Sequence, residues 1–525
     1  MKRPADRWFL PAAIAIVTAM AGVLTYTASL ENQTYDEGVH IVAGMSYWST
    51  GDFRLNVEHP PLAKLLFALP PMASGLRFDA ASPHWAQPDQ TALGSDFLYR
   101  SSVGADTILA LSRGVTIGLT AMLGLGIAYW TRHRFGPGAG LFALCIYALD
   151  PTFLAHGRYA TTDVPVTFFS FLSVAAWVEW LDTGGKKWLF GAAVLFGLAA
   201  ATKFSALYVI PVHAGLGVAA WVGRRRTTGE TMAAAAAVAA SGILICSAAY
   251  GWEGLQGRGP ENFPPGHPYM TGLRTLAQHN QEGHAAYLLG SIGSSGRWDY
   301  FPTAFAIKSP VGTLLLLAPA LAAFGRIARR DGWLVPAALL AYPTTYFALS
   351  MASNINIGVR HLLPAYPFLI VLTGAWWSLR GLRWRIAGAG LLASIAVEDI
   401  RVFPDYLAFF NAAAGGKDAG PRYLLDSNID WGQDVKKLGV FLKRHGIESI
   451  PAALFTNADP AYYGVHTVAM PVEPEGIAAM KGWAAISVTE LHGVYHNPPR
   501  YGRFKSLSPV ARVGGSIYVY DIAGE

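Results

Sequence analysis

The chain has 525 residues, of which 52% are hydrophobic and only 14% charged, against about 25% charged in an ordinary soluble protein. These proportions exclude a disordered chain, a fibrous protein and a soluble enzyme, and the two cysteines, Cys145 and Cys246, both in apolar runs, exclude a disulfide scaffold. Forty Lys and Arg stand against 34 Asp and Glu, a net charge of +6; such an excess can mark nucleic-acid binding, but its distribution along the chain gives it another meaning.

An apolar stretch of about 20 residues crosses a bilayer as a helix. Eleven stretches read as spans, near 9–30, 106–129, 137–154, 164–181, 188–202, 204–221, 231–250, 303–324, 333–350, 361–379 and 385–402. Only Lys203 separates the fifth from the sixth. One span across both would be too long and would reverse the side of every later loop, so a hairpin with Lys203 at the outer surface is expected. With the N-terminal MKRPADR in the cytoplasm, TRHRFGP, DTGGKK, GRRRTTGE, GRIARRDG and LRGLRWR also fall inside. Together these six segments hold 16 Lys/Arg and 4 acids. That is the positive-inside bias of a multi-pass protein of the plasma (inner) membrane, and no nucleic-acid partner is expected. The first apolar run is too long for a cleaved signal peptide.

The expected fold is a polytopic α-helical membrane protein of about 11 transmembrane helices with a small C-terminal α/β domain outside the cytoplasm. The membrane domain covers 1–402, with long outer loops at 31–105 and 251–302, and the soluble domain covers 403–525. In that tail AALFTNADPAYYGV, WAAISVTEL and SIYVYDI read as strands, and DVKKLGVFLKRHG has apolar residues at helical spacing.

Charged clusters fall at the outer ends of the spans. Asp36 and Glu37 follow the first, at the start of a surface helix, where a helix dipole alone would favour them. Glu58 and His59 precede Pro60–Pro61 and an apolar run with Lys64, too short to cross a bilayer. A carboxylate beside an imidazole suits a divalent cation, but two ligands do not complete a site. DPTFLAHGRYATTDVP carries Asp150, His156, Arg158 and Asp163, with Thr161 or Thr162 as a candidate helix cap. Lys203, and Arg360 with His361, stand where a lipid phosphate can be held, or where a long side chain reaches the headgroups. The loop 251–302 adds His267, His279 and His284. In the tail, DSNIDWGQD mimics a calcium loop, but Lys437 stands at the position that needs a glutamate. It reads as a polar loop capping the helix 434–445.

The order of these motifs resembles the polyprenyl-phosphate-sugar-dependent glycosyltransferases of the GT-C fold, and within them the protein O-mannosyltransferase and aminoarabinose-transferase-like superfamily, in a bacterial branch. YDEGVHIVAGMSYWSTGDFRLNVEHPPLAKLL and HGRYATTDVP carry the resemblance, which covers about residues 8–400. It implies Asp36 as catalytic base or acceptor-orienting acid, with Glu37 its partner, and Asp163 as the acid near the donor phosphate. It implies Glu58 as a metal- or substrate-facing acid and His267 as a metal ligand. His59 stands where relatives often carry Lys. Lys203 and Arg360 would neutralise the lipid phosphate, with Lys64, Arg158 and His361 as further substrate-binding residues. The implied partners are a polyprenyl-phosphate-linked sugar, the bilayer and an extracytoplasmic acceptor that is a protein, glycolipid or polysaccharide. A divalent metal stays open, and no nucleotide cofactor is expected, since no Gly-rich nucleotide loop is present. A transporter or flippase for a lipid-linked substrate, and a non-catalytic envelope assembly protein, are the competing classes. A transporter predicts mid-span charges and internal repeats, and the sequence shows few of the former and none of the latter.

Overall fold

The computed structural model describes residues 4–251, 267–496 and 499–522. The turn-rich start of the second long loop, from residue 252 to residue 266, lies outside the described residues.

Each apolar stretch is helical, but prolines divide several. Among the described residues, six helices are long and apolar enough to cross a membrane: Arg7–Ser29, Ala105–Phe135, Asp163–Thr183, Phe204–Val222, Thr228–Ala249 and Leu334–Met351. A seventh span is available if Tyr300–Lys308 and Val311–Ala322, bent by 113°, count as one. The bend falls at Ser309–Pro310, where proline has no N–H to continue the ladder. Pro151 likewise starts a new helix, Pro151–His156, after Pro137–Ala148, and the stretch at 361–379 opens as the 3-10 turn Val359–Ala365 before the helix Tyr366–Ser378. The chain also breaks at Lys203, whose backbone is extended between Lys186–Ala200 and the 3-10 turn Phe204–Tyr208. That places its side chain at a helix junction.

The first outer loop holds four helices, Glu37–Thr50, the 12-residue Leu62–Ala73, Pro83–Ala86 and Gln90–Tyr99, of which the first two pack tightly. Their contact is at Gly44, where a Cβ would lie 1.9 Å from the Lys64 carbonyl oxygen. Only glycine permits that approach. The second outer loop contributes the helix Pro268–Glu282 and a small hairpin, β1 (Ala286–Leu288) with β2 (Ser291–Gly293).

The tail holds a five-stranded mixed sheet of β3 (Ile450–Ala453), β4 (Thr467–Ala469), β5 (Trp483–Ser487), β6 (Ala511–Val513) and β7 (Ile517–Asp521), in the order β4-β3-β5-β7-β6. The expected strand regions WAAISVTEL and SIYVYDI supply β5 and β7, and short β4 and β6 form the edges; of AALFTNADPAYYGV only Ala452 and Ala453 lie in a strand, the end of β3, and the rest is loop with the 3-10 turn Ala461–Tyr463. VTELH, read as strand, is the helix Val488–His492. The helix Val435–His445 starts where expected, but the Asp434 side chain makes no cap bond. It accepts instead from Ser516 Oγ at 2.7 Å and pairs with Lys437 at 2.7 Å.

The tail is not detached at residue 403. Lys308 Nζ donates to the carbonyls of Leu407 and Asn428 at 2.9 and 2.7 Å. Asn411 Nδ2 donates to the carbonyls of Ala306 and Ser309 at 2.7 and 2.8 Å. Buried main-chain carbonyls need such partners, so 403–434 is woven into the helices and the sheet follows it.

Candidate active site

A cavity of about 950 Å³ opens where the two outer loops, the break at Lys203, the turn at Arg360 and the tail meet. One end is charged. Lys203 Nζ lies 2.5 Å from Asp163 Oδ1, and Arg360 Nη1 lies 3.3 Å from Asp163 Oδ2 and 3.6 Å from Asp36 Oδ2. Asp163 is buried behind the two cations, at the start of its helix. Thr162 precedes it in the cap position but makes no side-chain cap bond. Asp36 also occupies a cap position without a cap bond, and its carboxylate, 29% exposed, turns to the cavity instead. The cap geometry does not account for it.

Arg360 is fixed from three sides. Its guanidinium lies 4.3 Å over the Trp431 ring, its Nε donates to Ser427 Oγ at 3.1 Å, and Asp163 holds Nη1. His59 and His361 line the same cavity. Burial, then the Lys203 ammonium, holds the His59 imidazole well below its usual pKa, so it is neutral at pH 7. His59 Nδ1 faces the Glu58 carbonyl at 2.6 Å. Apolar side chains, including Leu207, Leu273, Leu276 and Leu349, line another part of the wall.

Four residues expected at the site are elsewhere. Glu37 is fully buried, gripped by Arg113 Nε at 2.8 Å and Nη2 at 2.7 Å, and it also accepts from the Thr34 and Ala160 amides. Residues 36 and 37 are adjacent, so a helix turns their side chains to different faces. Arg158 is buried against Glu31 at 2.8 Å and Tyr159. Lys64 donates to Tyr47 Oη at 2.9 Å and to the Asn56 and His59 carbonyls at 2.7 Å each, so it shapes the loop that presents His59. His267 caps the helix Pro268–Glu282, its Nδ1 accepting from the Tyr269 amide at 3.2 Å, and it does not join Glu58. The partner of Glu58 is His279, with Nδ1 3.4 Å from Oε1. Among the described residues, no group of three His, Cys, Asp or Glu is placed to hold a metal ion. Glu58 and His267 are not brought together as a metal pair.

The tail contributes more than the helix cap read from DSNIDWGQD. Asp426, Trp431, Phe455, Glu490, Tyr495 and His496 all line the cavity. Asp426 sits at φ +56°, in the left-handed region that Asp tolerates better than most residues. Its carboxylate accepts from the Ser427 amide and from Tyr495 Oη. Tyr35, Phe455 and Tyr495 form a continuous ring stack, with centroids 5.1 and 5.3 Å apart. Acidic and aromatic residues clustered in a tail otherwise read as soluble were the available signal.

Comparisons with known proteins agree with this architecture. The family model described as dolichyl-phosphate-mannose-protein mannosyltransferase matches residues 113–252. A 72-residue segment is 40% identical to an uncharacterized protein of Aquifex aeolicus (strain VF5), spanning 14% of this chain and 14% of that relative. The whole chain superposes on ArnT from Cupriavidus metallidurans. The TM-score is 0.52 for the form bound to undecaprenyl phosphate (15% identity, 98% of this chain and 99% of that one). It is 0.54 for the apo form (14% identity, 100% of both). The protein O-mannosyltransferase Pmt1-Pmt2 complex of S. cerevisiae, bound to its sugar donor, gives 0.55 at 11% identity, over 87% of this chain and 94% of that one. The chain has the GT-C fold of these glycosyltransferases, and at such identities the likeness is one of fold.

Proposed function

We propose that this chain is an integral membrane glycosyltransferase that moves a sugar from a polyprenyl-phosphate donor to a hydroxyl-bearing acceptor on the outer face of the plasma membrane, with its N-terminus in the cytoplasm. The carrying observation is the convergence of Lys203 and Arg360 on one end of the cavity beside a partly exposed carboxylate, Asp36. The form of ArnT bound to undecaprenyl phosphate, on the same fold, supports a lipid-phosphate donor.

In this reading the donor phosphate lies against Lys203 and Arg360. As the bond from anomeric carbon to phosphate oxygen breaks, the electron pair moves to the phosphate, and the two cations stabilise the charge that builds there. Asp163 holds both cations in place without facing the substrate. Asp36 accepts the acceptor hydroxyl's proton as that oxygen bonds the anomeric carbon. The apolar wall of leucines takes the start of the prenyl chain.

The test uses purified protein in detergent. Undecaprenyl phosphate binding is measured first, then transfer from a panel of polyprenyl-phosphate sugars to an envelope extract. Lys203→Ala removes a charge-assisted hydrogen bond of about 1.5–3 kcal/mol, so lipid-phosphate affinity falls about 10- to 100-fold. Asp36→Asn keeps the affinity and abolishes transfer. Wild-type protein that transfers from no donor, with Lys203→Ala binding the lipid as tightly, overturns the reading.

A further inference from the structure

Polar groups from four separate stretches of the chain join in one line along the cavity wall. Glu58 Oε1 lies 3.4 Å from His279 Nδ1. His279 Nε2 lies 3.2 Å from His284 Nδ1, and His284 Nε2 lies 3.3 Å from Tyr495 Oη, which in turn donates to Asp426. All five residues line the cavity. Stability does not explain the line. Glu58 and His279 are 43% and 30% exposed, and an ion pair that open contributes about 0–1 kcal/mol. Asp426 meanwhile holds left-handed backbone and is buried with no cation in contact.

The line has two complete hydrogen-bonding patterns. In the first, Asp426 is a carboxylate. Tyr495 donates to it, His284 Nε2–H donates to Tyr495, and a doubly protonated His279 donates to His284 and to Glu58. In the second, a protonated Asp426 donates to Tyr495, Tyr495 to His284 Nε2, His284 Nδ1–H to His279, and His279 Nδ1–H to Glu58. The two differ by three hops that carry one proton between His279 and Asp426, and they have the same net charge. A histidine can donate through one nitrogen while accepting through the other, and that property makes both patterns possible.

We infer that this line is a proton path, from buried Asp426 to the more exposed pair His279–Glu58, that removes the proton released when a hydroxyl acceptor is glycosylated. The inference rests on the transfer reading above. The acceptor O–H breaks and its proton passes from Asp36 through cavity water to Asp426; three hops along the second pattern carry a proton to His279, which releases one to solvent, and the Tyr495 hydroxyl and the two imidazoles then turn over to reset the line. Nothing is oxidised or reduced. The surroundings suit this role. Asp426 is faced by Tyr495, Arg360, Asp36, Tyr35 and Tyr300, and burial pushes its carboxyl above the usual range. His284 is faced by His279, Arg360, Asp36 and Tyr495, and burial lowers its imidazole, so it is neutral near pH 7 and free to relay.

Tyr495→Phe is the decisive variant, because it keeps the ring in its stack on Phe455 and removes the hydroxyl that links His284 to Asp426. With the envelope extract as acceptor, kcat falls about tenfold or more, donor and acceptor KM stay unchanged, and added imidazole restores part of the rate. A wild-type kcat, or a low kcat that imidazole does not raise, overturns the path. A second measurement needs no turnover. In pH-difference infrared spectra of the donor-free protein, a protonated-carboxyl band disappears in Asp426→Asn and shifts in Tyr495→Phe. If wild-type protein transfers no sugar, the transfer reading falls, and a carboxyl band indifferent to Tyr495→Phe then overturns the proton path as well.

Discussion

Replacing Glu37 and Asp36 in turn separates two acids that stand side by side in the chain. Glu37 has no exposed surface and takes two bonds from Arg113, two from Thr34 and one from the Ala160 amide. Arg113 is also buried, and it gathers the carbonyls of Ala28, Glu31 and Asn32. Glu37→Ala leaves that guanidinium without its counter-charge, and breaking a buried pair from one side costs about 3–5 kcal/mol. Total stability is about 5–15 kcal/mol in typical proteins, so the loss is a large share of it. Asp36→Ala removes one 3.6 Å contact from a partly exposed carboxylate, worth about 0–1 kcal/mol. The assay is the fraction of monodisperse protein left after heating in detergent, read by size exclusion beside transfer activity. Glu37→Ala is expected to melt far below wild type, whereas Asp36→Ala melts with it and is inactive. Equal melting of the two variants refutes the placement of Glu37.

Two further outcomes follow from the packing and from the tail. Gly44→Ala sets a methyl group against the Lys64 carbonyl, an overpacking that costs about 1–3 kcal/mol; it lowers thermal stability and weakens lipid-phosphate binding through the His59 loop, and a variant with wild-type melting refutes the close contact. Asp430 is buried and accepts from the Thr489 amide at 3.1 Å, and burial pushes its pKa up to about 7. The folded form therefore binds a proton that the unfolded form releases near pH 4. Its stabilising share is full at acid pH and is lost as pH rises through about 7, so limited proteolysis of the tail should be slower at pH 5 than at pH 8, and Asp430→Asn should flatten that difference.

The sequence made the chemistry at helix ends legible, because charge beside a long apolar run has few places to go. Asp36, Glu58, Lys203 and Arg360 were found that way, and all four line the cavity. It did not distinguish Asp36 from Glu37, since that depends on which way the first turn of a helix faces. Nor did it pair Glu58 with His279, which lies far along the chain and meets it only through folding. Lys64 and Arg158 look like substrate cations on paper, yet buried carbonyls and Glu31 claim them. Asp426 and Trp431 were visible in a dense polar motif, but a local reading turned that motif into a helix cap. Its partners, Arg360 and Tyr495, come from other segments. Hydropathy also does not register a sharp bend such as the one at Ser309–Pro310, inside the stretch read as the eighth span.

The weaving of residues 403–434 into the helices bears on the order of synthesis. Lys203 and Arg360 emerge from the ribosome well before Asp426, Trp431 and Tyr495. During translation the cluster of Asp163, Lys203 and Arg360 therefore exists first, with Arg360 lacking the indole and hydroxyl that fix it. The cavity is complete only late, once the last segment has threaded back among the helices.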